Sequence, residues 1–142
     1  TVQAQILDLL RGLQKEIGMS ILIITHDLGI VAEMADEVAV MYASKIVERA
    51  PVRDLFSRPL HPYTHGLFLS KPKPGTPRNS RLQAIEGMVP SPLRFPSGCK
   101  FHPRCPHCQD LCKKDEPVLR ELGPRHVVRC HFAEEIEQKH GK

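Results

Sequence analysis

Apolar residues first recur at helical spacing. Val2, Ile6, Leu9, Leu10, Leu13 and Ile17 form one stripe, which predicts an amphipathic helix over residues 2–17. Gly18 follows the stripe where a C-terminal cap is expected. The period then changes. Ser20-Ile21-Leu22-Ile23-Ile24-Thr25 is a nearly continuous β-branched run, the pattern of a parallel strand buried on both faces. Asp27 is placed to cap a helix over 28–35, with Ile30, Val31 and Met34 on its inner side. The runs 38–42 and 45–49, parted by Ala43-Ser44, predict an antiparallel hairpin at a sheet edge. Pro51 suits the first turn of a short helix to Phe56, and a second short helix is expected over 62–70. His61 and His65 flank that helix as surface or capping residues, and Met34 and Met41 read as core.

Beyond residue 70 this periodicity fades. The run Lys71-Pro72-Lys73-Pro74-Gly75-Thr76-Pro77 excludes regular structure, and Pro90, Pro92 and Pro96 keep the next stretch extended. Residues 71–98 therefore read as a proline-rich linker between residues 1–70 and a cysteine-rich extension, 99–142. That extension closes on a solvated helical end carrying Glu134, Glu135, Glu137 and Lys139. No internal repeat is found.

Composition sharpens the division. All 13 prolines lie between Pro51 and Pro124, and all 5 cysteines between Cys99 and Cys130. The net charge of +4 is uneven: residues 1–50 carry four Lys/Arg against seven Asp/Glu. A basic second half can meet nucleic acid or an acidic surface, but no stretch is densely basic, and an ordinary solvated surface is the plainer reading. No apolar run is long enough to span a bilayer, and Thr1–Leu13 lacks the basic leader of a signal peptide.

Two features carry candidate chemistry. His26 follows the predicted buried strand, and ligands of open α/β sheets bind beyond such strand ends. An imidazole there can donate to a phosphate oxygen or orient water, although a lone histidine at that place is more often a cap or packing residue. A complete enzyme centred on His26 ranks last, because no nucleophile or paired carboxylate accompanies it. The second feature is the set Cys99, Cys105, Cys108, Cys112 and Cys130, interleaved with Pro and His. With no secretory signal, such a cluster argues for metal before disulfide. Cys105-Pro106-His107-Cys108 is a C-x2-C pair of zinc-ligand spacing, so zinc could be held by four cysteines, or by three with His102, His107 or His131.

Thr25-His26-Asp27-Leu28 followed by Ala32-Glu33-Met34-Ala35-Asp36 resembles the switch-histidine segment of ABC transporter ATPases. Val40-Met41-Tyr42-Ala43-Ser44-Lys45-Ile46-Val47-Glu48 continues the resemblance, as does the opening Thr1-Val2-Gln3-Ala4-Gln5-Ile6-Leu7. Leu60-His61-Pro62-Tyr63-Thr64 narrows it to the ATPase subunits of dipeptide and oligopeptide importers. One departure is Ser44, where the family usually has Gly.

The resemblance implies an α/β fold: the C-terminal part of an ABC-type nucleotide-binding domain, comprising the end of a parallel sheet and an edge hairpin, followed by a small metal-binding extension. His26 would contact the γ-phosphate of ATP, with the catalytic carboxylate upstream of Thr1. These 142 residues hold no G-x-x-x-x-G-K-[ST] loop, so by themselves they are expected not to hydrolyse ATP, which with Mg would bind only the longer parent protein. The spacing C-x5-C-x6-C-x17-C at Cys99, Cys105, Cys112 and Cys130 resembles the family's [4Fe–4S] ligand set, and soft thiolates suit such a cluster. Cys108 is the additional thiol and the alternative ligand. A staple for a segment poor in apolar residues is the first role expected of the metal, a redox or iron-sensing regulator the second.

The implied partners are a second ATPase subunit and membrane permease subunits, met at the cytoplasmic face of the membrane as a peripheral protein. Nucleic acid is not expected among the partners, and the chain alone could self-associate. The competing class is a small zinc-dependent binding module contacting nucleic acid or protein. It would need aromatic residues on a basic face, and the cysteine region offers only Phe95, Phe101 and Phe132.

Overall fold

The computed structural model describes residues 1–70 and 84–140, so the expected linker is described only from 84 onward. The chain divides into two compact units, Thr1–Asp36 and Glu37 onward.

In the first unit, helix α1 runs Val2–Ile17. The Thr1 hydroxyl accepts from the Ala4 amide at 3.5 Å, and Gly18 ends the helix at φ 68°, its amide donating to the Gln14 carbonyl. Helix α2, Leu28–Met34, is capped by the Asp27 carboxylate, which accepts from the Gly29 and Ile30 amides at 2.8 and 3.4 Å. Arg11 joins the two helices through the Glu33 side chain at 3.0 Å and its carbonyl at 2.8 Å. Neither helix has a buried residue.

The expected parallel strand over 20–25 does not form. Those residues pair with no other described strand, and Leu22 and Ile24 are 89% and 93% exposed. A strand buried on both faces needs hydrogen-bonded neighbours on its edges, and none is present here among the described residues.

The second unit holds a four-stranded sheet in the order β1–β2–β4–β3, antiparallel throughout. Strands β1 (Glu37–Tyr42) and β2 (Lys45–Pro51) form the expected hairpin, with Tyr42 facing Lys45 at the turn. Strands β3 (Arg120–Gly123) and β4 (His126–Val128) come from the cysteine-rich region, and β4 pairs with β2 through Glu48↔Val128. This corrects the expected sheet. The parallel sheet end is replaced by an antiparallel sheet, to which the hairpin and the cysteine region both contribute strands. Alternating patterns show that a strand exists; they do not show which distant strand lies beside it.

Around the sheet lie α3 (Val52–Ser57), α4 (Pro62–Leu69), a 3-10 turn His102–Arg104, α5 (Asp110–Lys114) and α6 (Ala133–His140). The core has two apolar clusters. Leu60, Val128, Cys130, Ala133 and Ile136 form one. Tyr42, Val47 and Phe101 form the other, with Tyr63, Ile85, Cys99 and Cys105 against it. Among the described residues, no helix is long and apolar enough to cross a membrane.

Candidate metal centre

Cys99, Cys105, Cys112 and Cys130 line one pocket, walled by His61, Pro62, Phe101, Phe132 and Ile136. Since Cys130 belongs to one core cluster and Cys99 and Cys105 pack on the other, the pocket lies where the clusters meet.

Local geometry explains how distant cysteines arrive there. The Cys99 amide donates to the Cys112 carbonyl at 2.8 Å, clamping the backbones of the first and third cysteines together. That approach demands Gly98: at φ 60°, an added Cβ would stand 2.4 Å from the Cys112 carbonyl oxygen. Successive turns, with the His102 amide donating to Cys99, Cys105 to His102 and Cys108 to Cys105, then carry the chain around the pocket. Arg120 holds the fourth thiol's segment. Its guanidinium donates to the Cys130 carbonyl at 3.1 Å and the His131 carbonyl at 3.2 Å, and it pairs with both oxygens of Glu134. On the far side Glu116 gathers Lys45 at 2.5 Å and Lys100 at 3.5 Å, and those cations hold its carboxyl below the usual range.

Burial pushes the Cys105 thiol up to about 12 and the Cys130 thiol up to about 11, and neighbouring pocket thiols push the same way. Cys99 is raised for the same reasons. Thiols this weakly acidic are neutral at pH 7, and a metal cation that binds them as thiolates, releasing their protons to water, would relieve both costs. As a donor set, four soft sulfurs fit an iron–sulfur centre or zinc. The arrangement is not a ready mononuclear site, however. Among the described residues no three Cys, His, Asp or Glu side chains come together closely enough to hold a metal ion. A tetrahedral zinc with bonds of about 2.3 Å would need every sulfur within about 3.8 Å of the others. The cavity itself is about 10 Å³, so any bound group must part its walls.

The remaining candidates fall as follows. Cys108 is not among the lining residues; its Sγ faces the Gln109 carbonyl at 3.6 Å and also interacts with the Cys112 side chain. His102, His107 and His131 do line the pocket. The Nδ1–H of His102 donates to the Cys99 carbonyl at 2.9 Å, and the Nε2–H of His131 to the Asp115 carbonyl at 3.0 Å. His26 lies in the first unit, exposed, in the bend before the Asp27 cap.

Phe101 is buried against Tyr42 and Tyr63, at centroid distances of 5.2 and 5.5 Å, so it is no part of a nucleic-acid stacking face. His61 does cap α4, its Nδ1 accepting from the Tyr63 amide at 3.0 Å, but it is buried and not a surface residue. Burial lowers its pKa to about 4. Sequence reasoning also passed over Glu48, fully buried among the donors of Leu60, His61 and His126. Its only signal was the single carboxylate in the β2 pattern.

Residues 47–112 match the family described as the oligopeptide/dipeptide transporter, C-terminal region. Over that stretch the chain resembles this family. It is 47% identical over 141 residues to a putative peptide import ATP-binding protein of Brucella ovis, an alignment covering 96% of this chain and 42% of that protein. It is 48% identical over 135 residues to the oligopeptide transport ATP-binding protein AppD of Bacillus subtilis, covering 95% and 41%. With the dipeptide transport ATP-binding protein DppD of Haemophilus influenzae it shares 46% over 131 residues, covering 92% and 39%. The chain thus spans about two fifths of the length of the curated relatives it matches, and it matches the C-terminal region of peptide- and dipeptide-importer ATP-binding subunits.

Proposed function

We propose that this chain is the C-terminal region of an ATP-hydrolysing subunit that powers dipeptide or oligopeptide import, and that Cys99, Cys105, Cys112 and Cys130 hold a [4Fe–4S] cluster in it. The importer reading is supported by identity near 47% to three ATP-binding proteins named for peptide, oligopeptide and dipeptide transport. In that reading His26 contacts the γ-phosphate, and Mg·ATP binds a phosphate loop supplied by the longer protein. The subunit works beside a second ATPase subunit, docked on permease subunits at the cytoplasmic membrane face.

The observation that carries the metal reading is the four thiols around one pocket. Four thiolates are the soft donor set that an iron–sulfur centre takes, and the pocket walls would have to part to admit it. When bound, such a centre supplies a covalent cross-link between the 99–112 turns and the end of β4. The residues around it have their own tasks. Gly98 permits the approach of Cys99 to Cys112, Arg120 orients the Cys130 segment, and the apolar walls limit water.

The test is iron, sulfide and zinc analysis with an absorption spectrum on the full-length protein purified without oxygen. A broad iron–sulfur band, abolished by Cys112→Ser and kept in Cys108→Ser, is the expected result. Stoichiometric zinc without iron would overturn the cluster. ATPase activity of the full-length protein that survives His26→Ala undiminished would overturn the role given to His26.

A further inference from the structure

Glu48 is a fully buried carboxylate in β2, between the buried apolar residues Val47 and Ala50. A buried charge is costly unless its hydrogen bonds are met, and here they are. One oxygen accepts from the Leu60 amide at 2.7 Å and from His126 Nε2 at 2.7 Å; the other accepts from the His61 amide at 3.0 Å. Those partners come from the irregular turn before α4 and from β4. The turn has no strand to pair with, so two buried backbone amides need an outside acceptor, and Glu48 is it.

Both structures it holds are walls of the thiol pocket. His61 and Pro62 line the pocket directly. The His61 ring also feels the backbone of Arg129, one residue before Cys130, which pulls its pKa upward. Strand β4, held through His126, leads into the same Cys130.

We propose that Glu48 is the positioning residue of the thiol pocket: without touching a thiol, it fixes the His61–Pro62 wall and the β4 segment that delivers Cys130. The inference rests on the metal reading only for what the pocket holds.

The experiment is iodoacetamide labelling of the full-length, reduced, metal-free protein, with each cysteine followed by mass spectrometry. In Glu48→Gln, an amide group must face a backbone N–H. Cys112 and Cys130 should then be modified about 10-fold faster than in the wild type, as losing one buried charged hydrogen bond implies, with Cys108 unchanged. Glu48→Asp should recover part of the protection. Pocket thiols that keep wild-type rates in a folded Glu48→Gln protein would overturn the proposal. So would an equal rise at all five cysteines, which signals general loosening. If Glu48→Gln fails to fold, His126→Gln decides: faster Cys130 labelling supports the proposal and unchanged labelling overturns it. Anaerobic iron and sulfide reconstitution of the wild type is the separate arm. A wild type that takes up no cluster while the labelling differences persist rejects the cofactor and leaves Glu48 its role.

Discussion

Leu22 and Leu60 are the same side chain in two regions, yet Leu22 is 89% exposed and Leu60 is 1% exposed. The first unit has the stronger local signals: a stripe, two capped helices and a β-branched run. None of these brings a residue to full burial there. The second unit has weak local signals, short strands and many prolines, yet it contains the buried core. Local pattern therefore states what a segment can become, while burial depends on what lies beside it. In the second unit those neighbours are remote. Glu48 meets His126 across 78 residues, Lys45 meets Glu116 across 71, and Arg58 pairs with Glu137 across 79.

The widest break in this comparison should come from one truncation in each unit of the 142-residue chain. Phe101→Ala removes a ring that is 2% exposed and packed on two tyrosines. It should lower unfolding free energy by about 3–5 kcal/mol in denaturant titrations. Leu22→Ala should stay within about 0.5 kcal/mol. A Leu22→Ala cost approaching that of Phe101→Ala would show that the 20–25 run is buried in solution and that the contrast is false.

Gly98→Ala comes next. It forces an alanine to φ 60° and sets a Cβ 2.4 Å from the Cys112 carbonyl oxygen. Overpacking against backbone together with a left-handed alanine should cost about 3 kcal/mol. The loss should appear in the second unit alone, so the α1 amides should keep their hydrogen-exchange protection while those of β2 lose theirs.

The hairpin, α3, α4, the C-terminal cap of α1 and the Asp27 cap of α2 were legible because each is set within a few residues by spacing, proline or a capping residue. That Cys99, Cys105, Cys112 and Cys130 share one place was legible too, and they line one pocket. Strands β3 and β4 were not. They span four and three residues, too few for a period, and β4 owes its place to pairing with β2. The burial of His61 was equally hidden. Its ring is walled by Phe101, 40 positions on, and its amide is bound by Glu48, 13 positions back. The 20–25 run failed in the opposite sense: its composition fits a buried strand, but burial needs partners that composition does not contain.

That buried histidine gives the contrast a pH dependence. Desolvation lowers His61 to about 4, against the opposing pull of Glu48 and the Arg129 carbonyl. Unfolding restores its ordinary value near 6.5, so between about 6.5 and 4 the unfolded chain binds the extra proton. Stability of the second unit is therefore full above pH 6.5 and falls as pH drops toward 4, by at most about 3 kcal/mol at 1.36 kcal/mol per pH unit. His61→Asn keeps an N-cap acceptor and removes the titration. Its stability curve over that range should be flatter than the wild type's in urea titrations of metal-free protein. An equally steep curve would assign the effect to another group.

The smallest effect separates the units by sign. Ala43 and Ser44 form a two-residue hairpin loop with φ of 47° and 64°, the mirror-image turn that glycine adopts without penalty. The first unit meets the same requirement with Gly18 at φ 68°. Ser44→Gly should stabilise the second unit by about 0.5 kcal/mol, the relief of left-handed strain less the added freedom of the unfolded chain. For a unit of this size that is a rise in melting temperature of about 2–4 °C. Gly18→Ala should do the reverse, fraying the last turn of α1, with amide exchange quickened near residue 17 and the melting of the second unit unmoved. Both substitutions act on one backbone conformation with open space around it at Gly18. Their opposite signs would isolate the turn residue itself from packing, and equal signs would mean that the hairpin loop is held by contacts a glycine gives up.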